Sequence, residues 1–244
     1  MENNLALKVS HLYHSFPEEG GGKLEVVKDV SFEVKEGEFL SIVGPSGGGK
    51  STLLRIIAGL VKRTSGSVEL VSSKIAMVFQ NFAIFPWLTV HENIEFGLKM
   101  GDVPSKERKS IVREKIKEVG LTGFEDKYPK ELSGGMRQRV GIARALAVNP
   151  EILLVDEPFS SLDTFTAEKL RSDLLDIWLK YKMSVVMVTH LVEEAVQLSD
   201  RILVLSRRPA RIKLEVEVPL KRPRERRADE FYAIVDKITR EIEQ

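Results

Sequence analysis

Within VGPSGGGKSTLLRIIAGL, Val43 to Leu60, four residues have the types and spacing to bind a polyphosphate. Gly44, Gly49, Lys50 and Ser51 follow the order G-x-x-x-x-G-K-S of a phosphate-binding loop. Glycines let backbone N–H groups turn inward with no Cβ in the way. A helix starting behind them adds its own N–H groups and positive end to the anion site. Lys50 is a point charge able to reach terminal phosphates, and the Ser51 hydroxyl is an oxygen ligand suited to Mg2+. The whole loop, Gly44, Pro45, Ser46, Gly47, Gly48, Gly49, Lys50, Ser51 and Thr52, is a candidate site for a nucleoside triphosphate.

Such a loop needs a strand before it and a helix after it. Phe39-Leu40-Ser41-Ile42-Val43 reads as a short strand, and Leu53, Leu54, Ile56, Ile57 and Leu60 recur at helical spacing. Downstream, ILLVDEP, Ile152 to Pro158, is a buried strand that ends in two adjacent carboxylates. A parallel strand delivers its carboxyl end to the ligand crevice of an α/β sheet. Neighbouring side chains diverge along a strand, so the pair divides its tasks: Asp156 to the Mg2+ shell, Glu157 to the attacking water. A second glycine turn opens a helix in YPKELSGGMRQRVGIARAL, where Ser133 is a capping residue and Gly134 and Gly135 expose backbone N–H groups. One nucleotide does not need two separate anion sites.

The chain has 244 residues, enough for one large α/β domain with a subdomain. Lys+Arg number 37 and Asp+Glu 36, so overall charge gives no case for nucleic acid. There is no cysteine, which excludes disulfides and thiolate metal sites. Apolar runs are strand-sized, far below a membrane span, and MENNLALKVS lacks a basic-then-apolar signal pattern. These features predict a soluble, cytosolic chain.

Val30, Phe32 and Val34 alternate with Ser31, Glu33 and Lys35, the pattern of a half-buried antiparallel strand. Runs at 39–43, 75–79, 152–155, 184–188 and 202–205 predict buried strands, mostly separated by helices and hence largely parallel. From Gln80 to Leu132 strands give way to helices around 89–100 and 107–119, an inserted helical subdomain. Residues 221–227 form a polar connector, and Phe231, Ile234, Val235, Ile238 and Ile242 mark one face of a last helix.

Phosphate loop, LSGGMRQR and LLVDEP, in that order, resemble the ATPase subunits of ATP-binding cassette transporters over nearly the whole chain. The resemblance implies an α/β phosphate-loop NTPase. About 1–80 and 151–220 would be a RecA-like mixed-sheet core with an antiparallel β subdomain, and about 81–150 a helical subdomain. Residues 221–244 would be a connector and helix. It implies ATP and Mg2+ as cofactors. It also implies a homodimer in the ATP-bound state, in which Ser133, Gly134 and Gly135 of one chain close on the triphosphate of the other. Residue by residue, Phe16 in HLYHSF matches the aromatic that stacks on adenine, with Tyr13 the alternative because PEEGGGK lengthens the next loop. Gln80 matches the glutamine that touches Mg2+ and the water, His190 the histidine at the γ-phosphate, and SSLD, with Asp163, the loop crossing the dimer interface.

FPWLTVHENIEFGL, Phe85 to Leu98, is similar to importers of the nitrate, sulfonate and taurine group. Trp87 in it belongs either to a docking surface for a partner helix or to the core. The implied assembly has two integral membrane permease subunits, with this chain peripheral on the cytoplasmic face of the membrane. A periplasmic or lipid-anchored solute-binding protein would act indirectly. Two departures are Gly48, where Ser or Cys is usual, and Ala210 in RRPAR, where Gly is usual. The alternatives are a cytosolic cassette ATPase acting on nucleic acid or the ribosome, and a GTPase or kinase. Neither paired cassettes nor a guanine-reading Asn-Lys-x-Asp element is found in the sequence.

Overall fold

The computed structural model describes residues 4–18, 20–160 and 162–243. They divide into two compact units, one made of the described residues up to Ser73 together with those from Lys182 onward, the other of Lys74–Tyr181.

The first unit contains two sheets. β1 (Leu5–Pro17) pairs antiparallel with β2 (Lys23–Lys35) and, on its other edge, with β4 (Ser65–Leu70). The alternation expected over 30–35 is the end of β2, but β1 does not alternate cleanly. His11 (φ 45°) and Asp29 (φ 54°) sit in the left-handed region, with a register shift between Val9 and Leu12. A bulge of that kind swaps which face each following residue serves. In the second sheet β3 (Phe39–Val43) lies between β7 (Ser184–Thr189) and β8 (Arg201–Leu205), parallel to both. β9 (Ile212–Glu217) runs antiparallel on β8. β3 and β7 are buried along their whole length, which is why they read as continuous apolar runs. Helix α1 (Lys50–Ile57) packs on β7, and α6 (Val192–Leu198) on β3 and β7.

Residues 221–227 do more than connect. Arg222 donates to Asp200 Oδ1 at 2.7 Å and Leu198 O at 2.7 Å, and Arg224 donates to the carbonyls of Val196 and Ser199, both at 2.6 Å. These are the carbonyls that the end of α6 leaves without helical partners. Burial, with Arg222 nearby, pulls the Arg224 guanidinium down to about 10. The strap seats α7 (Asp229–Glu243), whose Phe231, Val235 and Ile238 join Val196 and Val204 in one core.

In the second unit, β5 (Ile75–Val78) and β6 (Ile152–Asp156) form a parallel pair. Three helices fall in the segment expected to be helical: α2 (Val90–Met100), α3 (Ser105–Glu118) and α4 (Gly134–Ala147). Their shared core includes Ile94, Leu98, Val112, Ile116, Val140 and Ala143, each worth roughly 1 to 3 kcal/mol of burial. The unit is wider than that segment, because α4 also packs on β5 and on α5 (Thr164–Tyr181). Thr89 and Glu92 close a capping box on α2, and the Thr89 N–H and hydroxyl hold the Glu92 carboxyl below its ordinary range. No helix of the described residues is long and apolar enough to cross a membrane.

Candidate functional site

In the first unit, β3 runs directly into the glycine loop. Gly49 is the N-cap of α1 with φ 100°, and a Cβ there would lie 2.9 Å from Val26 O. Only glycine fits such a position. At Gly48 a Cβ would come 2.9 Å from Pro45 O, so the departure from Ser or Cys suits this loop's tight turn. Lys50 is 4% exposed, and its Nζ donates to Gly44 O at 2.9 Å and Pro45 O at 3.0 Å. Gly44, Pro45 and Lys50 therefore meet at one point. Ser51 and Thr52 follow in the first turn of α1, half-buried.

His190 is the exposed residue just after β7. Its turn is braced by a pair the sequence did not single out. Thr189 Oγ1 bonds Glu194 Oε2 at 2.8 Å and accepts from the Leu191 N–H at 3.1 Å. Near the end of β1, Phe16 is exposed while Tyr13 is half-buried, which leaves Phe16 the freer surface for stacking. The His14 ring meets Phe16 edge to face, centroids 4.4 Å apart. His14 is buried, and its ring nitrogens have no hydrogen-bond partner among the described residues.

In the second unit, β6 ends on a fully buried Asp156. Asp156 is the last residue of the strand and Glu157 the first beyond it, so regular strand alternation does not extend over the pair. The chain leaves the strand at Glu157, which takes φ 42° and is half-buried. A non-glycine residue there is uncommon, and such strain concentrates at functional positions. Gln80, just beyond β5, donates from Nε2 to Glu157 Oε2 at 3.4 Å and to Ser160 Oγ at 3.5 Å. The structure thus brings Gln80 and Glu157 together. Ser133 is the exposed N-cap of α4, its Oγ accepting from the Met136 N–H at 3.3 Å. A Cβ at Gly135 would be 2.7 Å from Thr166 Cγ2, so the glycine lets α4 press close to α5. Asp163 caps α5 by accepting from the Thr166 N–H at 3.0 Å, and Thr166 holds the carboxyl below its ordinary range. Of the SSLD loop, Ser161 lies outside the described residues.

Two residues organise the loop after Gln80, and neither was legible as functional. Arg144 on α4 donates to Phe82 O at 2.9 Å and Ala83 O at 2.8 Å, both residues having positive φ, and its guanidinium lies 5.5 Å from the Phe85 ring centroid. Asn93, fully buried, donates to Phe85 O, Leu88 O and Thr89 O and accepts from the Phe85 N–H at 2.8 Å. This hub sets out Phe85 against Phe96 (4.6 Å) and Trp87 (5.6 Å), and leaves Trp87 69% exposed. Asn93→Ala should destabilise the protein by about 2 to 3 kcal/mol, since the backbone groups of Phe85 and the Leu88 and Thr89 carbonyls lose the Asn93 amide while staying partly buried. Urea unfolding followed by fluorescence checks this; an unchanged midpoint would remove Asn93 as the organiser.

Residues 27–160 match the family model described as ABC transporter. A nitrate import ATP-binding protein of Synechocystis sp. is 44% identical over 234 residues, covering 89% of this chain and 88% of that protein. An aliphatic sulfonates import ATP-binding protein of Bacillus cereus is 42% identical over 229 residues, covering 91% of this chain and 90% of that one. Among solved structures, a dimeric ATP-binding cassette in a post-hydrolysis state with ADP and Pi superposes with a TM-score of 0.77. It is 35% identical, over 88% of this chain and 100% of that chain.

Proposed function

The chain belongs to the ABC transporter family, and on that premise we propose that it is the ATP-hydrolysing subunit of an importer. ATP-driven closure of a cassette dimer would power solute uptake through separate membrane subunits. The observation that carries this reading is that one chain has two helix N-termini suited to anions. One is the glycine loop before α1, and the other is α4 with its exposed cap Ser133. A head-to-tail homodimer gives the second one a use, because Ser133, Gly134 and Gly135 then close on the partner's triphosphate. Within one chain, Gly44 to Thr52 hold the phosphates, Phe16 stacks on adenine and His190 meets the γ-phosphate. Asp163 lies in the segment that crosses the dimer interface.

The donor set suits Mg2+. Ser51, Gln80 and Asp156 offer hard oxygens, and among the described residues no group of three His, Asp or Glu forms a metal cage. That ion commonly binds through one or two carboxylates plus substrate phosphates. When bound it neutralises charge on the β- and γ-phosphates. Glu157 orients or activates the water, with Gln80 as its neighbour. In domain terms, about 1–80 and 151–220 serve as catalytic core and about 81–150 as the arm that senses the membrane partner.

The solute is a small oxyanion of the nitrate, sulfonate or taurine kind, chosen by other subunits. The chain sits peripherally on the cytoplasmic face of the membrane, against two permease subunits, and a solute-binding protein acts on it indirectly. The exposed Trp87, backed by the half-buried Phe85, is the surface for a permease helix. Trp87→Glu should cut co-purification with the permease by about tenfold, by placing a charge in an apolar contact, while leaving the melting curve unchanged. Assembly at normal yield would remove Trp87 from the interface. The proposal as a whole is tested in proteoliposomes holding the chain, its permease and its solute-binding protein. ATP-dependent uptake of labelled nitrate, taurine or an alkanesulfonate is the expected result. A chain that binds no permease and instead sediments with ribosomes would overturn it.

A further inference from the structure

The turn between β8 and β9, residues 206–211, carries the RRPAR segment, and it touches the phosphate loop directly. Arg208 donates from both Nε and Nη2 to the Gly47 carbonyl, at 3.1 and 3.0 Å. The turn that carries this arginine is rigidly held. The Ser206 N–H donates to Arg211 O at 2.9 Å, and Ser206 Oγ accepts from the Arg211 N–H at 2.9 Å while donating to Pro209 O at 3.0 Å. The Ala210 N–H donates to Val26 O at 2.9 Å, and the Lys28 N–H to Ala210 O at 3.0 Å, which ties the turn to β2 as well. The guanidinium is thus presented to the loop from a platform fixed to both sheets of the unit.

The Gly47 carbonyl shares a peptide plane with the Gly48 N–H, which donates to Pro45 O at 3.1 Å. The two groups of one trans peptide point in opposite directions, so fixing one fixes the other. A carbonyl oxygen facing a polyanion repels it, and two hydrogen bonds from a cation draw this one toward Arg208. We infer that Arg208 is a positioning residue for the phosphate loop, pre-organising the Gly47–Gly48 peptide and so raising affinity for the polyphosphate part of the nucleotide. The inference rests on the reading that Gly44 to Thr52 bind phosphates. It adds a residue from a distant turn to that site.

Calorimetric titration with Mg-ATP, Mg-GTP and tripolyphosphate tests it on the full chain. Arg208→Ala should lose about tenfold in affinity for all three alike, the size expected for a charge-assisted contact. Arg208→Lys should recover little, because one ammonium cannot reproduce the two-point grip. Arg208→Gln keeps a polar stem and guards against a loss caused by misfolding; it should melt like the wild type without nucleotide and still bind weakly. Affinity within twofold of wild type in both Arg208→Ala and Arg208→Gln would overturn the inference. So would full rescue by lysine, which would mean bare charge, or a loss confined to the nucleotides and absent for tripolyphosphate. Lys50→Ala run alongside separates the two levels. If Lys50→Ala also binds tripolyphosphate normally, the phosphate-loop reading itself has failed; if it loses binding while the Arg208 variants keep theirs, only the role of Arg208 has.

Discussion

Lys50→Ala is expected to weaken Mg-ATP binding by at least about a hundredfold, with the fold kept. The lysine stem is buried, and its ammonium is held by the Gly44 and Pro45 carbonyls at the mouth of α1. A charge placed there, largely out of water, acts on phosphate oxygens with little screening. Losing two charge-assisted hydrogen bonds of about 1.5 to 3 kcal/mol each is more than a hundredfold. The fold is kept because alanine is a good helix former at the start of α1. Thermal melting with and without nucleotide makes the difference visible. At a concentration one hundred times the dissociation constant, ligand stabilises the wild type by about 2.7 kcal/mol. At the same concentration a hundredfold weaker variant gains only about 0.4 kcal/mol. A variant whose melting curve rises with ATP as far as the wild type's would show that the loop is not the phosphate site.

The loop was legible because its requirements are local. Glycines at fixed offsets, an apolar strand before and helical periodicity after all lie within Phe39–Leu60, and they correspond to β3 and α1. The same holds for β6 and β7, buried on both faces and hence continuous apolar runs. The residues of β1 show no strand pattern in the sequence, and the reason is physical. His11 and Asp29 adopt left-handed conformations at a bulge, so the apolar residues of LALKVSHLYHSFP change face partway and the period of two is lost. β4, SGSVEL, is half-exposed and short, with too little apolar pattern to show. The supports of the candidate site were hidden for another reason. Arg144, Arg208 and Arg224 act through side-chain bonds to carbonyls far away in sequence, such as Arg144 to Phe82 and Arg208 to Gly47, and Asn93 through bonds to a loop with no repeating pattern. An arginine in a polar run looks the same whether it faces water or closes a loop. The spacing of LSGG and DEP pointed to chemistry, while what holds those residues in place depends on tertiary contacts.

Glu157→Gln combined with Mg-ATP is expected to turn a freely hydrolysing chain into a stable dimer. Glu157 is half-buried at φ 42°, beside Gln80 Nε2 at 3.4 Å. Glutamine has the same shape and the same backbone preferences, so the variant should fold, and its amide oxygen can still accept from Gln80. What it loses is the negative charge and the ability to take a proton from water, which should slow turnover by about a thousandfold. Mg-ATP should remain bound, because Lys50, Ser51 and Asp156 are untouched. A ligand bound only by the dimer stabilises the dimer by mass action, and here the ligand is no longer consumed. Light scattering at high protein concentration should therefore show the shift from monomer to dimer with ATP and not with ADP. The test of why comes from Ser133. It is exposed at the start of α4, and its hydroxyl caps one N–H. Ser133→Arg costs about 1 kcal/mol of capping, too little to unfold the chain, yet it sets a bulky cation where the partner's triphosphate should arrive. Added to Glu157→Gln, it should leave ATP affinity of the monomer unchanged and abolish the dimer. A dimer that persists with Arg at 133 would mean that α4 does not face the second nucleotide. A Glu157→Gln chain that binds ATP and stays monomeric would leave the second helix N-terminus without a ligand, and the importer reading without its main physical support.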